Sequence, residues 1–283
     1  MAAEIIEALD PRGDGLYVDL TLGAGGHTEA LLQAGAGHVV SFDRDESAIQ
    51  LAGQRLSQHE SHVELIHAPF SAVRDELDAL GIHRVDGVVA DLGVSSMQLD
   101  TAGRGMSFRA EGPLDMRMDR TRGRTALDLI EELDDDELTD LIRELGEERR
   151  ARRIARCIHQ ALDAGELSTT LDLRRAVVRA VGPARVGGID PATRTFQALR
   201  IAVNEELFEL ERLLDTLPAC IGPGGKLAVL TFHSLEDRIV KRKLKSGPWK
   251  VLTKKPLRPS EDEIDDNPRA RSAKLRLAER RDG

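Results

Sequence analysis

Asp19, Asp43, Asp91 and His233 each stand at the end of an apolar run, and that placement is what equips them for chemistry. The first run, Tyr17-Val18-Asp19-Leu20-Thr21-Leu22-Gly23-Ala24-Gly25-Gly26-His27, reads as a strand that ends in an acid and opens into a glycine-rich turn before a helix. Glycines suit such a turn because a Cβ would keep the backbone from approaching a ligand closely. The dehydrogenase fingerprint fits poorly, since its third glycine would fall at position 28, where the chain has Thr28. A phosphate cradle usually adds Lys or Arg, and the turn has neither. Asp43 closes the next apolar run, 18 residues after Gly25, near the ~20 expected of an acid that accepts hydrogen bonds from a ribose diol. It fits equally well as a helix N-cap, because Ser47-Ala48-Ile49 starts a helical pattern.

Read from its strand-end acid, Asp19-x-Thr21-x-Gly23-x-Gly25 is similar to the Asp-x-Gly-x-Gly-x-Gly turn of S-adenosylmethionine-dependent methyltransferases, with threonine in place of the first glycine. Other strand ends carry Phe70, Asp91 and Phe232-His233-Ser234. Ligands of open α/β sheets sit beyond those ends. Carboxylates, backbone N–H groups and a ring together suit a cationic sulfonium with an adenosine tail better than a pyrophosphate.

The elements that must position these residues follow a βαβ rhythm. Strands near 16–20, 38–43, 62–67 and 85–91 alternate with helical patterns, which predicts an α/β fold with a doubly wound parallel sheet. After Asp91 the rhythm stops at a Gly/Ser/Met-rich stretch, 93–105, and charged, mostly helical sequence follows. Helices are expected from Ala126 to Leu133, Asp136 to Leu145 and Glu147 to Leu162, and one long helix from Pro191 to Leu217 leads back to the sheet. The fifth strand is Lys226 to Phe232, preceded by Gly222-Pro223-Gly224-Gly225. A sheet domain of 1–104 and 201–283 is thus split by a helical insertion of 105–200.

Composition sets the bounds. With 283 residues, 41% hydrophobic and 31% charged, the chain can bury a sizeable core. Cys157 and Cys220 are isolated, so neither a disulfide framework nor a zinc site is indicated, and no metal is expected. No apolar run reaches the ~20 residues of a membrane span, and Met1-Ala2-Ala3-Glu4 lacks a signal peptide's basic and apolar regions, so a cytoplasmic location is expected. The net charge of −9 is unevenly spread: Arg238 to Arg258 holds nine Lys/Arg and no acid, and Arg269 to Arg281 holds six against the single Glu279. A third basic element, Arg149, Arg152, Arg153 and Arg156, shares one helix face. These arginines, with Lys241, Arg242, Lys243 and Lys245, are the candidate nucleic-acid contacts, against the alternative of solvated faces. Aromatics make up only 3%, leaving Phe108, Phe196, Phe232 and Trp249 as rings for base stacking or for core packing.

Five runs then occur in order: Asp91-Leu92-Gly93-Val94-Ser95-Ser96, Gly112-Pro113-Leu114-Asp115-Met116-Arg117-Met118-Asp119, Pro191-Ala192-Thr193-Arg194-Thr195-Phe196-Gln197-Ala198-Leu199-Arg200, Phe232-His233-Ser234-Leu235-Glu236-Asp237-Arg238 and Asn267-Pro268-Arg269-Ala270-Arg271-Ser272-Ala273. They resemble the successive signatures of the bacterial ribosomal RNA small-subunit methyltransferase H family, and the resemblance covers nearly the whole chain. It implies a class I, Rossmann-like methyltransferase fold with an inserted helical substrate-recognition domain. It also implies methylation of a cytosine N4 in 16S rRNA near the decoding centre, at the P site, with S-adenosylmethionine as donor. The implied partner is 16S rRNA within the small ribosomal subunit, and a homodimer is among the assemblies it allows. Carried over by residue, the cofactor contacts fall on Gly25, Gly26 and His27 in the turn, Asp43 at the ribose, Phe70 near the adenine, and Asp91 and Gln98 around the methionine end. Asp91 is also the candidate acceptor for the N4 hydrogen, and His233 a candidate acid/base or phosphate contact beside its plainer reading as a structural hydrogen-bonder. The family usually begins with a His-x-Pro-Val-Leu-Leu stretch, which this chain's Met1-Ala2-Ala3-Glu4 start lacks; either the chain is a trimmed version or that element is dispensable, and if the segment helps close the cleft, full activity of this form is not expected. A small-molecule enzyme on the same fold and a non-catalytic S-adenosylmethionine-binding RNA module are the competing readings.

Overall fold

The computed structural model of the chain describes residues 1–183 and 190–282. Its elements run α1 (Ala2–Leu9), β1 (Leu16–Asp19), α2 (Gly26–Gln33), β2 (His38–Asp43), α3 (Glu46–Arg55), β3 (Val63–His67), α4 (Val73–Ala79) and β4 (Val85–Asp91). Then come α5 (Ser96–Asp100), α6 (Ala126–Glu132), α7 (Asp135–Leu145), α8 (Ala151–Asp163), α9 (Thr170–Val181) and α10 (Thr193–Val203). The chain closes with α11 (Glu206–Cys220), β5 (Ile221–Thr231), α12 (Ser234–Ser246), β6 (Trp249–Val251), α13 (Glu261–Asp266) and β7 (Lys274–Arg280). Two units divide these elements, Met1–Gly93 with Leu207–Gly283, and Val94–Glu206. The sequence predicts divisions at 104/105 and 200/201. The Gly/Ser/Met-rich stretch goes with the helical unit from Val94 on because Val94 and Leu99 pack into that unit's core.

The first unit holds a seven-stranded sheet in the order β3-β2-β1-β4-β5-β7-β6. Strands β3 to β5 pair in parallel, and β7 lies antiparallel between β5 and β6. The period-2 alternation of side chains gives each face its own core. Val18, Val40 and Val88 meet Leu77 of α4 and Leu210, Leu213 and Leu217 of α11 on one face. Tyr17, Val39 and Val89 meet Ile5 and Leu9 of α1 and Leu31 of α2 on the other. Because both faces are covered, β4 reads as a nearly unbroken apolar run.

Several expected elements change. Strands β6 and β7 lie within the C-terminal basic stretches, whose charge predicts exposed surface. In β7 the cations alternate with Leu275 and Leu277, and Arg276, only 5% exposed, donates to Asp237 Oδ1 at 2.7 Å. Strand β5 starts at Ile221 and takes in the glycine-rich stretch expected to precede it; a register shift between Val85 and Gly87 absorbs the irregularity. The long helix expected from Pro191 to Leu217 is two helices, broken where Glu205 adopts φ 50°. Asn204 makes the break: its Nδ2 donates to Arg200 O and Met116 O, and its Oδ1 accepts from Met118 N–H at 2.7 Å, bonds that compete with helix continuation. The helix expected from Glu147 starts at Ala151, because Glu147 is left-handed (φ 49°) and Glu148 Oε1 accepts from Arg150 N–H.

The second unit is helical around its own core, which includes Ile130, Leu138, Ile142, Ile154, Ile158, Leu173 and Val177. Reciprocal capping boxes at Thr125/Asp128, Asp134/Glu137 and Thr169/Asp172 start α6, α7 and α9, each cap stabilising its helix by ~1 kcal/mol. Among the described residues no helix is long and apolar enough to cross a membrane.

Candidate cofactor site

The strand order reverses between β1 and β4: β2 and β3 lie beyond β1 on one side, and the chain then returns to place β4 on the other. Such a switch point opens a crevice at the carboxyl ends of the two strands. Asp19 and the glycine turn stand on one side of it, Asp91 on the other. Asp19 is fully buried and builds the turn, its Oδ1 accepting from Thr21 N–H (3.1 Å) and its Oδ2 from the Thr28 hydroxyl (2.8 Å). Burial pushes its carboxyl up, against the pull of His27 and Thr28. Thr28 Oγ also lies 2.8 Å from Ser41 Oγ, which ties α2 to β2. Thr28, the mismatch to the dehydrogenase fingerprint, is therefore part of the turn's framework.

Gly25 is the N-cap of α2 at φ +82°, with no side chain to cap the helix, so the first-turn N–H groups stay available to a ligand. A Cβ on Gly26 would meet nothing within 4 Å, so this side of the turn is open. Asp43 Oδ2 accepts from Gly23 N–H (2.8 Å) and Oδ1 from Asp45 N–H (2.9 Å), and each oxygen keeps a lone pair for a diol. Burial raises its pKa, partly offset by those two N–H groups. The N-cap of α3 is Asp45, which accepts from Ser47 N–H, so the alternative cap reading of Asp43 falls to its neighbour. Phe70 follows β3, which Ala68 N–H joins to Asp43 O at 3.0 Å. The Arg44 guanidinium sits 5.7 Å from the Phe70 ring centroid and its Nη2 lies 3.6 Å from Glu209 Oε2, which also accepts from the Ser71 hydroxyl.

Asp91 Oδ2 lies 3.2 Å from His27 Nε2. A carboxylate only accepts, so this geometry assigns the proton to Nε2. Burial opposes charging the ring, but the Asp91 hydrogen bond and the Asp19 and Asp91 charges outweigh it, and the His27 pKa is raised. His27 Nδ1 and Asp91 Oδ1 are buried without a hydrogen-bond partner among the described residues. Native interiors seldom leave such atoms unpaired, and two in one crevice point to a ligand site. S-adenosylmethionine fits this set: carboxylates for a diol and a cation, a ring for an adenine, open N–H groups, and no Lys or Arg in the turn.

The turn glycines, His27, Asp43, Phe70 and Asp91 thus gather at the carboxyl end of one sheet. Gln98 lies in the helical unit, buried, in a capping box with Ser95 at the start of α5. His233 is the N-cap of α12; its Nδ1 accepts from Glu236 N–H at 3.4 Å, and its Nε2 lies 3.1 Å from Glu236 Oε1 without hydrogen-bond alignment. Sequence reasoning overlooked Thr21, Asp45 and Glu209. The available signal for Thr21 was its position, a hydroxyl where the turn pattern has glycine.

The candidate RNA contacts differ among themselves. Lys241 and Lys245 are exposed with no carboxylate partner among the described residues, whereas Arg242 donates to Glu211 and Lys243 to Asp215, both at 2.6 Å. The stretch read as uncompensated is therefore partly neutralised by α11. Arg149 precedes α8, while Arg152, Arg153 and Arg156 are exposed along it. Arg152 lies 3.9 Å from Asp136. Arg156 lines a cavity of about 410 Å³ with Glu131, Asp134, Asp135 and Asp163, acidic surroundings that oppose a phosphate. Of the four rings, Trp249 and Phe196 are buried in the core, Phe196 edge-on to Phe108 at 4.9 Å, which removes both from base stacking; Phe108 and Phe232 are half-buried.

A parallel sheet carrying an antiparallel β7 between β5 and β6 is the class I, Rossmann-like methyltransferase arrangement. The chain matches the family model described as MraW methylase family over residues 1–281. A relative named ribosomal RNA small subunit methyltransferase H, from Sorangium cellulosum (strain So ce56), is 63% identical over 281 residues, covering 99% of this chain and 89% of that protein. One of the same name from Clostridioides difficile (strain 630) is 41% identical over 299 residues, covering 98% and 96%. A solved rRNA methylase from Streptococcus thermophilus is 14% identical at a TM-score of 0.43, covering 99% of this chain and 94% of that one; the fold assignment rests on strand order, not on that likeness. With a match that runs from the first residue through β7, the chain belongs to the MraW methylase family.

Proposed function

We propose that this chain transfers a methyl group from S-adenosylmethionine to the exocyclic N4 amine of one cytosine in 16S rRNA, near the decoding centre of the small ribosomal subunit. It is a member of a methyltransferase family whose relatives are named for small-subunit ribosomal RNA, and S-adenosylmethionine is the methyl donor. The observation that carries the site assignment is the Asp91–His27 pair at the switch point, where a carboxylate is held by one oxygen and its other oxygen is buried and without a hydrogen-bond partner among the described residues.

When bound, S-adenosylmethionine supplies an electrophilic methyl on a sulfonium whose leaving group is a neutral thioether. The chain's own residues supply placement. Asp43 would hold a ribose diol, Phe70 would line the adenine end, and the N–H groups at the start of α2 would hold the cofactor from the turn side. The N4 lone pair is delocalised into the cytosine ring, so the amine is a weak nucleophile. An acceptor on N4–H and rigid in-line placement are the expected sources of rate. Asp91 Oδ1 is that acceptor in this reading: it draws on the N4 hydrogen and its charge stabilises the positive charge that develops on nitrogen. His233, engaged as a helix cap, has the weaker claim. Arg149 and Arg153 before and along α8, with Lys241 and Lys245 of α12, are assigned to RNA phosphates, and the helical unit to recognition of the substrate. Such a substrate places the reaction in the cytoplasm.

Small subunits isolated from cells lacking the modification, incubated with this protein and methyl-labelled S-adenosylmethionine, test the reading. The expected product after nuclease digestion is labelled N4-methylcytidine, located by mass spectrometry to one decoding-centre fragment. Label on cytosine C5 or on a ribose oxygen, or no transfer while cofactor binds, would overturn it.

A further inference from the structure

Thr21 stands where the ladder between β1 and β4 runs out. Asp19 is in register with Val89, and the next rung is Leu20 N–H to Val89 O at 2.9 Å. One residue on, the chain has left the sheet for the glycine turn, and a side chain takes the place of a backbone carbonyl: the Thr21 hydroxyl accepts the Asp91 N–H at 2.7 Å. Glycine, which the common turn pattern has here, offers no such acceptor. Thr21 is itself fixed by its N–H to buried Asp19. Asp91 is therefore gripped twice, at its backbone by Thr21 and at Oδ2 by His27, which leaves Oδ1 as the carboxylate oxygen without a partner among the described residues.

We propose that Thr21 is a positioning residue for methyl transfer, its hydroxyl fixing the end of β4 so that Asp91 presents Oδ1 to the reacting amine. This rests on the proposed role of Asp91. Removing the hydroxyl strips the Asp91 N–H of its acceptor and frees the strand end to shift. A misplacement of about 1 Å near a reacting centre costs on the order of 10²-fold in rate.

Thr21→Val keeps the shape and loses the acceptor, while Thr21→Ser keeps the acceptor. Three measurements on the full chain separate positioning from binding and from folding: single-turnover transfer to small subunits, calorimetric affinity for S-adenosylmethionine, and the NMR titration of the His27 ring in the protein alone. Thr21→Val should slow transfer by roughly 10- to 100-fold and change cofactor affinity by less than about threefold, and Thr21→Ser should stay within about threefold of the parent rate. On an Asp91→Asn background, Thr21→Val should add little further loss, because it acts through the residue already altered. The His27 midpoint should fall in Thr21→Val and stay in place in Thr21→Ser. Parent-like transfer in the Val variant, a loss confined to affinity, failure of Ser to restore the rate, or full additivity with Asp91→Asn would each overturn the proposal. The His27 titration needs no turnover. If the parent fails to methylate, the functional reading fails, yet an unmoved midpoint in Thr21→Val independently refutes the grip on Asp91. Should the Val variant not fold, Thr21→Ala carries the same expectations and the same refutations.

Discussion

Asp91 and His27 divide the work of one hydrogen bond unequally. His27 Nε2–H engages Oδ2, and Oδ1 has no hydrogen-bond partner among the described residues. In an Asp91→Asn variant the amide oxygen would keep His27, which puts an N–H₂ donor where the N4 hydrogen needs an acceptor. We therefore expect single-turnover transfer to fall by more than the affinity for cofactor or RNA falls, and to stay low as cofactor is raised. Recovery of the parent rate at high cofactor would make Asp91 a binding residue only. The same pair makes stability pH-dependent. The His27 pKa is raised above its ordinary 6.5 in the folded chain, so its charged form adds stability that is fully present below pH ~6.5 and is lost as pH rises through the folded value. The gap in melting temperature between the parent and His27→Gln should accordingly be wider near pH ~6 than near pH ~9. Equal gaps at both ends would show that the ring does not gain charge on folding.

At the scale of elements, α12 shows how a basic stretch can be less cationic than it reads. Its Arg242 and Lys243 are matched by Glu211 and Asp215 of α11, while Lys241 and Lys245 face solvent. Neutralising only Lys241 and Lys245 should flatten the salt dependence of small-subunit binding almost as much as neutralising all four, by about one unit of slope per lysine that meets a phosphate. Cofactor affinity should not change. A quadruple variant with a much shallower slope than the double would mean that the ion pairs open on RNA, and no change in either would assign the phosphates to Arg149 and Arg153 instead. Strand β7 makes the complementary point. Lys274 and Arg276 converge on Asp237, whose carboxyl is held low, against its burial, by those two cations. Cations that clamp α12 to the sheet are not available to a polyanion.

For the whole molecule, the two units have separate hydrophobic cores. Trp249, the chain's single tryptophan, is buried in the core of the sheet unit, so its fluorescence reports on that unit alone, whereas far-UV circular dichroism follows the helices of both. In urea, S-adenosylmethionine should raise the midpoint seen by fluorescence in proportion to the logarithm of its concentration. The dichroism should show a second transition that moves less, as expected for cooperative units with their own cores. Coincident transitions that shift together would show that the chain unfolds as one unit.

The parallel core of the sheet and the residues at its strand ends were legible along the chain, because both are written locally. An apolar run stopped by Asp19, Asp43 or Asp91 says where a buried strand meets solvent, and Gly23-Ala24-Gly25-Gly26 says that the next turn must be tight. The capping residues Thr125, Asp134 and Thr169 likewise sit within three residues of the N–H groups they serve. What depends on partners distant in the chain came only with folding. Lys274 to Arg280 became a strand because β5 and β6 offered hydrogen-bonding edges and Asp237 offered a counter-charge. The expected long helix broke at Asn204 because Met116 and Met118 lay within reach of its amide. Thr21 acquired its purpose only when folding brought Asp91 N–H, 70 residues away, to its hydroxyl. Periodicity and capping travel with the chain, whereas an ion pair or a hydrogen bond across the fold exists only once two remote segments are held together, and no local pattern records which segment will arrive.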